Sequence, residues 1–240
     1  MLTWIEPHQP LPPPESARLE PNGLVAAGRD LSAKRLLEAY SHGIFPWYSQ
    51  GQPVLWWSPD PRMVVFVDEF NPSRSLRKTL KQVRETGSWK VTLDQSFVQV
   101  MQACAAPRPG QDGTWITRDI IKAYHALHQA GHAHSVEVWA HGELVGGLYG
   151  VSIGRMFFGE SMFTRVSDAS KCAYAALVAM LRRLGFSMVD CQQSTGHLAS
   201  LGAREISRTD FLDRLRLLCR LPGPDWREVT IDWPVQHWPL

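Results

Sequence analysis

Residues 134–160, HSVEVWAHGELVGGLYGVSIGRMFFGE, constrain the fold more than any other stretch of the chain. β-Prone runs are broken at HG and IG, where tight turns belong, and this spacing predicts a three-stranded antiparallel meander. Its last strand carries a difficulty. In GRMFFGESMF, residues 154–163, Met156, Phe157 and Phe158 run up to a glycine, and Met162 and Phe163 follow closely. Glu160 sits between them, in a run that otherwise reads as buried. A lone carboxylate is costly to bury unless it is paired. The fold must therefore bring Glu160 a partner, from the protein or from a substrate.

The elements around the meander follow from caps and breakers. Ser32 can cap a helix that Gly43 ends. The segment 43–62, GIFPWYSQGQPVLWWSPDPR, cannot be a regular helix because its prolines interrupt one. NPSRSLRKTLKQVRETG predicts a helix capped by Asn71 and closed by Gly87, with a strand, WKVTL, after it. Helices capped by Asp94 and by Thr117 precede the meander. A helix capped near Ser167 or Asp168, a buried strand, FSMVDCQ, and an amphipathic helix, SRTDFLDRLRLLC, follow it. Together these make an α+β layer architecture. Residues 1–22 and the tail from Leu221 carry no regular pattern and are expected to be irregular. Residues 1–62 are expected to form a small N-terminal domain on a larger domain, 63–240.

Composition narrows the class. The net charge of +2 makes no strong electrostatic statement for the whole molecule. Cys104, Cys172, Cys191 and Cys219 are scattered, with no C-x-x-C, which fits reduced thiols rather than a zinc ribbon or a disulfide framework. The longest apolar run, AYAALVAML, is far short of the roughly 20 residues that span a bilayer. A cytoplasmic protein is expected, with no membrane partner. His125, His128, His132 and His134 crowd one region, yet no cysteine or carboxylate pattern completes a metal site.

Three features can carry chemistry. In MVDCQ, Asp190 and Gln192 stand at i and i+2, on one face of a strand. They can act at a catalytic centre or bond the amides of the following loop. Tyr174, Leu177 and Leu181 form one stripe of the next-to-last helix, which is plain core or the lining of a pocket closed by Phe157 and Met162. Arg74, Arg77, Lys78 and Lys81 share one side of the helix at 72–86, joined by Arg84. They form a phosphate-binding face or a solvated one. No glycine-rich phosphate loop is present: RVSDASK lacks the glycines that would wrap a coenzyme A pyrophosphate on a helix N-terminus.

The blocks EPNGLVAAGRDLS, GIFPWYSQGQPVLWWSPDPR, GTWITRDIIKAY, LHQAGHAHSVEVW, ELVGGLYGV, FFGESMF, ASK and DCQ…HLASLGA occur in this order over residues 20–206. Together they resemble the leucyl/phenylalanyl-tRNA–protein transferase family. The resemblance implies a small N-terminal domain and a larger acetyltransferase-like (GNAT-like) domain, with a mixed, largely antiparallel sheet flanked by helices. It implies transfer of Leu or Phe, and less readily Met, from aminoacyl-tRNA to proteins beginning with Lys or Arg, which marks them for degradation. No metal or cofactor is implied, and a monomer is expected.

Residue roles follow from the same resemblance. Asp190 and Gln192 match the pair assigned to catalysis. Glu160 matches a substrate-binding acid, and Tyr40, Trp47 and Trp115 match aromatic residues at the substrate site. Leu148, Phe157, Ser161, Met162, Tyr174, Leu177, Leu181 and Val189 would hold the transferred side chain. Arg74, Arg77, Lys78, Lys81 and Arg84 would meet the tRNA acceptor stem. Chemically, Asp190 is expected to accept from the Gln192 side-chain amide and polarise it, and Glu160 to meet a substrate cation. A coenzyme A-dependent acyltransferase would need the absent phosphate loop. A non-catalytic RNA-binding module would leave the apolar stripe beside Asp190 and Gln192 without a purpose.

Overall fold

The computed structural model describes residues 2–107 and 114–234. The tail residues 235–240 lie outside them. The first sheet is built from β1 (Thr3–Ile5), β2 (Leu24–Gly28), β3 (Phe45–Pro46) and β4 (Val54–Trp57), with α1 (Ala33–Ser41) between β2 and β3. Its order is β1-β2-β4-β3. The proline-rich start is therefore not wholly irregular, because β1 pairs parallel with β2. As expected, Ser32 caps α1 by accepting from the Arg35 N–H.

The second sheet starts with β5 (Arg62–Phe66). Then come α2 (Arg74–Thr86), β6 (Trp89–Leu93), α3 (Phe97–Ala105) and α4 (Arg118–Gln129). The meander is β7 (Ala133–Ala140), β8 (Glu143–Ile153) and β9 (Met156–Thr164). It is followed by α5 (Ala169–Arg183), β10 (Met188–Gln192), α6 (Gly196–Ser200), β11 (Arg204–Ile206) and α7 (Arg208–Leu218). The sheet order is β11-β5-β10-β9-β8-β7-β6. All neighbours run antiparallel except β9 and β10. This is the expected α+β class with a mixed, largely antiparallel sheet flanked by helices.

The two faces of this sheet carry different cores. α5 covers one face, where Leu148, Phe157 and Val189 meet Ala173, Leu177 and Leu181. The other face receives α3, α4, α7 and the first sheet, where Tyr149, Phe158 and Met188 meet Tyr40, Tyr124 and Phe211. Adjacent residues such as Leu148 and Tyr149 go to opposite faces, as strand alternation requires. β9 and β10 pair only over Met156–Phe158 and Met188–Asp190. From Gly159 onward that edge of β9 has no strand partner among the described residues, so the sheet parts at Glu160.

Several local expectations are corrected. Ser73, not Asn71, caps α2, accepting from the Leu76 N–H. Asp94 does not cap α3: it adopts a left-handed φ of 59° and turns to His134 and the Ser135 N–H. The α3 N-terminus is served from a distance by the buried Glu137, which accepts from the Ser96 N–H at 3.2 Å. β5, α6 and β11 had no clear signal. The described part of the tail, 221–234, is placed by packing rather than by pattern: Trp226, Val229, Ile231 and Trp233 lie against the α5-side core, and His134 stacks on Trp226 at 3.9 Å.

Gly43 ties the layers together. Its φ is 74°, and a Cβ there would sit 2.6 Å from Leu212 and 3.0 Å from Phe211 of α7. Gly43→Ala combines backbone strain with overpacking and is expected to cost about 2–4 kcal/mol, read as a loss of urea midpoint at unchanged slope.

Candidate active site

The site forms where β9 and β10 part. Glu160, on β9, accepts from the Tyr40 hydroxyl of α1 at 2.6 Å and from the Tyr124 hydroxyl of α4 at 3.1 Å. It also accepts from Gln192 Nε2 of β10 at 3.0 Å. The two tyrosine hydroxyls are themselves hydrogen-bonded. Three oxygen–oxygen contacts thus share two hydroxyl protons, so all three are hydrogen bonds only when the carboxyl carries a proton and donates to one of the tyrosines; when it is ionised it accepts. Burial pushes Glu160 from an ordinary 4.5 up to about 7; the tyrosine hydrogen bonds oppose the rise and the charge of Asp190 adds to it. Burial likewise raises Tyr40 and Tyr124 well above the usual phenol value, so both remain proton donors. Within the protein, then, the partners of Glu160 are three neutral groups, two phenols and an amide.

Asp190 is fully buried and belongs to a different pair. Arg62 Nε and Nη2 grip its two oxygens at 2.8 and 2.7 Å. Arg62 also donates to the Gly43 carbonyl at 3.1 Å, and its guanidinium lies 4.8 Å from the Phe45 ring and 4.5 Å from the Phe211 ring. Asp190 does not accept from the Gln192 side-chain amide, as the sequence suggested. It accepts from the Gln192 backbone N–H at 2.9 Å. The reason is a register shift between Asp190 and Gln192, with Gln192 at a φ of 60°. The bulge swings the Gln192 side chain to Glu160. With Nε2 donating there, Oε1 is left to accept from elsewhere, and among the described residues nothing donates to it.

A cleft of about 1610 Å³ is bordered by Trp47, Tyr48, Trp57, Trp115, Thr117 and Ser161, the neighbour of Glu160 in β9, among others. Trp47 is 41% exposed, leans edge-on against Trp57 at 5.7 Å, and accepts from Trp57 Nε1 through its carbonyl at 2.7 Å. Of the eight residues expected to hold a transferred side chain, Ser161 faces this cleft. Leu148, Phe157, Tyr174, Leu177, Leu181 and Val189 are brought together but lie buried on the α5 face, with the half-buried Met162 packed at their edge. The parting of β9 from β10 is the break in the sheet between the two faces.

On α2, Arg74, Lys78, Lys81 and Arg84 are exposed, while Leu76, Leu80 and Val83 anchor the helix. Arg77 departs from this face: it folds back to the Pro72 carbonyl and Asn71. The histidine cluster is accounted for in part by Asp94, which lies 2.7 Å from His134 Nδ1 and 3.8 Å from His128 Nδ1. Two members of the site were missed in the sequence. Tyr124 lies on a buried stripe with Ile120 and Leu127, where a hydroxyl among apolar positions was the available sign. Arg62 heads the apolar run RMVVF, a charge in a buried strand of the kind that singled out Glu160.

Two family models match, described as the leucyl/phenylalanyl-tRNA protein transferase, over residues 64–216, and its N-terminal domain, over residues 29–60. A leucyl/phenylalanyl-tRNA–protein transferase of Bordetella petrii is 58% identical over 236 residues, 96% of this chain and 93% of that protein. One from Pseudomonas fluorescens is 60% identical over 217 residues, 90% of this chain and 94% of that protein. Among solved structures, the C-terminal domain of a putative lysylphosphatidylglycerol synthetase from Agrobacterium fabrum aligns with a TM-score of 0.40 at 11% identity, covering 83% of this chain and 75% of that one. The sequence matches define an aminoacyltransferase. The chain belongs to the leucyl/phenylalanyl-tRNA–protein transferase family.

Two outcomes follow from the site's electrostatics. Arg62→Met leaves Asp190 charged, buried and unpaired, and is expected to cost about 3–5 kcal/mol in chemical denaturation. Combining it with Asp190→Leu should recover much of that loss. Because Glu160 binds its proton more tightly in the folded state, its contribution to stability is full below pH 4.5 and declines as pH rises toward 7. Glu160→Gln should abolish that part of the decline in a series of melts across this range.

Proposed function

We propose that this chain moves Leu or Phe, and less readily Met, from aminoacyl-tRNA to the α-amine of proteins beginning with Lys or Arg, which marks them for degradation in the cytoplasm. The observation that carries this reading is the Glu160–Gln192 hydrogen bond at the break in the sheet, with Ser161, the next residue of β9, on the border of the tryptophan-lined cleft. The reaction is aminolysis of an ester. The acceptor amine attacks the ester carbonyl, an amide bond forms, and the ester bond to the ribose oxygen breaks. The amine gives up a proton and the ribose oxygen gains one.

The donor is already activated, so no covalent nucleophile is required. Most of the acceleration comes from holding amine and ester in attack geometry, worth roughly 7–11 kcal/mol. Gln192 Oε1 accepts a hydrogen bond from the amine and orients its lone pair. The amide is too weak a base to take the proton outright. Its orientation is set from two sides, by the carboxylate of Glu160 on Nε2 and by Asp190 on the backbone N–H. Glu160 attracts a substrate cation: the α-ammonium of the aminoacyl group or a positive group of the acceptor's first residue. Trp47 and Trp115 offer flat faces for the terminal adenosine, and Tyr40 holds Glu160 from beneath. Parting of β9 from β10 leads the aminoacyl side chain toward Phe157, Met162, Leu177 and Val189. The exposed cations of α2 neutralise acceptor-stem phosphates.

The direct test is transfer of labelled Phe from Phe-tRNA to a peptide beginning with Arg. Gln192→Ala should lower kcat about 10²-fold with little change in the KM for Phe-tRNA, because it misplaces the attack rather than the binding. Replacing Lys78 and Lys81 with Ala should flatten the salt dependence of tRNA binding by nearly two units of slope. An absence of transfer with any acceptor would overturn the reading.

A further inference from the structure

A second cavity, of about 740 Å³, adjoins the cleft. Tyr48, Gly51, Gln52 and Asp119 border both. From that shared rim the cavity runs along α4, where Asp119, Lys122, Ala123 and Ala126 stand at i, i+3, i+4 and i+7 and so form one face. This face is distinct from the buried stripe of α4 that carries Tyr124 to Glu160. The opposite wall is Trp4, Leu31 and the 51–54 loop.

We propose that this groove receives the acceptor polypeptide immediately downstream of its attacking residue, a role that rests on the transfer reaction already inferred. An acceptor whose α-amine lies at Glu160 and Gln192 must leave the cleft by some path, and this groove begins at the cleft's rim. From Asp119 to Ala126, α4 rises about 10 Å. That length accommodates about three residues of extended chain. The small side chains of Ala123 and Ala126 leave a floor that any side chain can cross, as a transferase with many acceptors requires.

The charges give the groove a direction. Asp119 stands at the shared rim. Beyond it, Lys122 and Arg29 are exposed, and among the described residues neither forms a salt bridge. Arg29 lies over the Trp4 ring at 5.8 Å. An acidic residue three or four places into the acceptor therefore meets two cations. Two cations with an acid at the mouth make a poor track for RNA compared with the basic row on α2, so the occupant is polypeptide.

The experiment compares three acceptors in the Phe transfer assay: arginine amide, Arg-Ala-Ala-Glu-Ala and Arg-Ala-Ala-Lys-Ala. The Glu peptide should show a KM about three- to fivefold below that of the Lys peptide. Lys122→Glu should reverse that order and leave transfer to arginine amide unchanged. Ala126→Trp should raise the KM of both peptides, again without affecting arginine amide. Peptides and arginine amide used with equal KM by every variant would overturn the groove while leaving the transfer reaction standing. A Lys122→Glu effect on the KM for Phe-tRNA, equal across acceptors, would assign the groove to RNA and overturn the proposal as well. Failure of all three acceptors would overturn the transfer reading and the groove with it.

Discussion

The buried pair of Arg62 and Asp190 is the interaction on which the rest of the site depends. Two opposite charges are taken out of water, and the cost is offset only because the geometry is bidentate and the remaining polar atoms are satisfied. Arg62 finds its further acceptor in the Gly43 carbonyl and is flanked by Phe45 and Phe211. One guanidinium thereby links the first sheet, the second sheet and α7. Asp190, held in this way, is no free base. In the proposed reaction its effect runs through the Gln192 backbone, which it fixes in a left-handed turn at the end of β10.

That turn is what delivers the Gln192 amide to Glu160. The carboxylate is the point where four elements meet: α1 through Tyr40, α4 through Tyr124, β10 through Gln192, and its own strand, β9. With its pKa raised to about 7, it stands at neutral pH between a proton-sharing member of a tyrosine triangle and the charged receiver for a cation that the proposed reaction requires. In the proposed reaction the acceptor α-amine has an ordinary pKa of about 7.7–8.0, so both groups would reach their reactive forms over the same rise in pH. Burial, which usually argues against a carboxylate, here brings it into the useful range.

Much of this was legible in the sequence. The turns at HG and IG delimit the meander, Ser32, Thr117, Gly43, Gly87 and Gly131 mark helix ends, and the odd acid in GRMFFGESMF marks the hydrogen-bonded centre of the candidate site. Apart from the local choice of Ser73 over Asn71 as the α2 cap, the misses depend on residues far apart in the chain. Asp190 and Gln192 obey the period of two only until a bulge shifts the register, and no local pattern reveals that Arg62, 128 residues away, claims Asp190. Asp94 resembled a cap but is drawn off by His134, while Glu137 reaches α3 from another strand. The C-terminal tail is polar and proline-rich in pattern, and only the core it covers gives Trp226 and Trp233 a place.

The most direct test of the central claim is a double-mutant cycle on kcat at saturating Phe-tRNA and acceptor, using Asp190→Asn and Gln192→Ala. Asparagine keeps a hydrogen-bond acceptor for Arg62 and for the Gln192 N–H while removing the charge. If Asp190 acts by placing Gln192, the double variant will be no slower than Gln192→Ala alone. If the two losses multiply, Asp190 contributes to the reaction independently of Gln192, and its role as a positioning residue is contradicted.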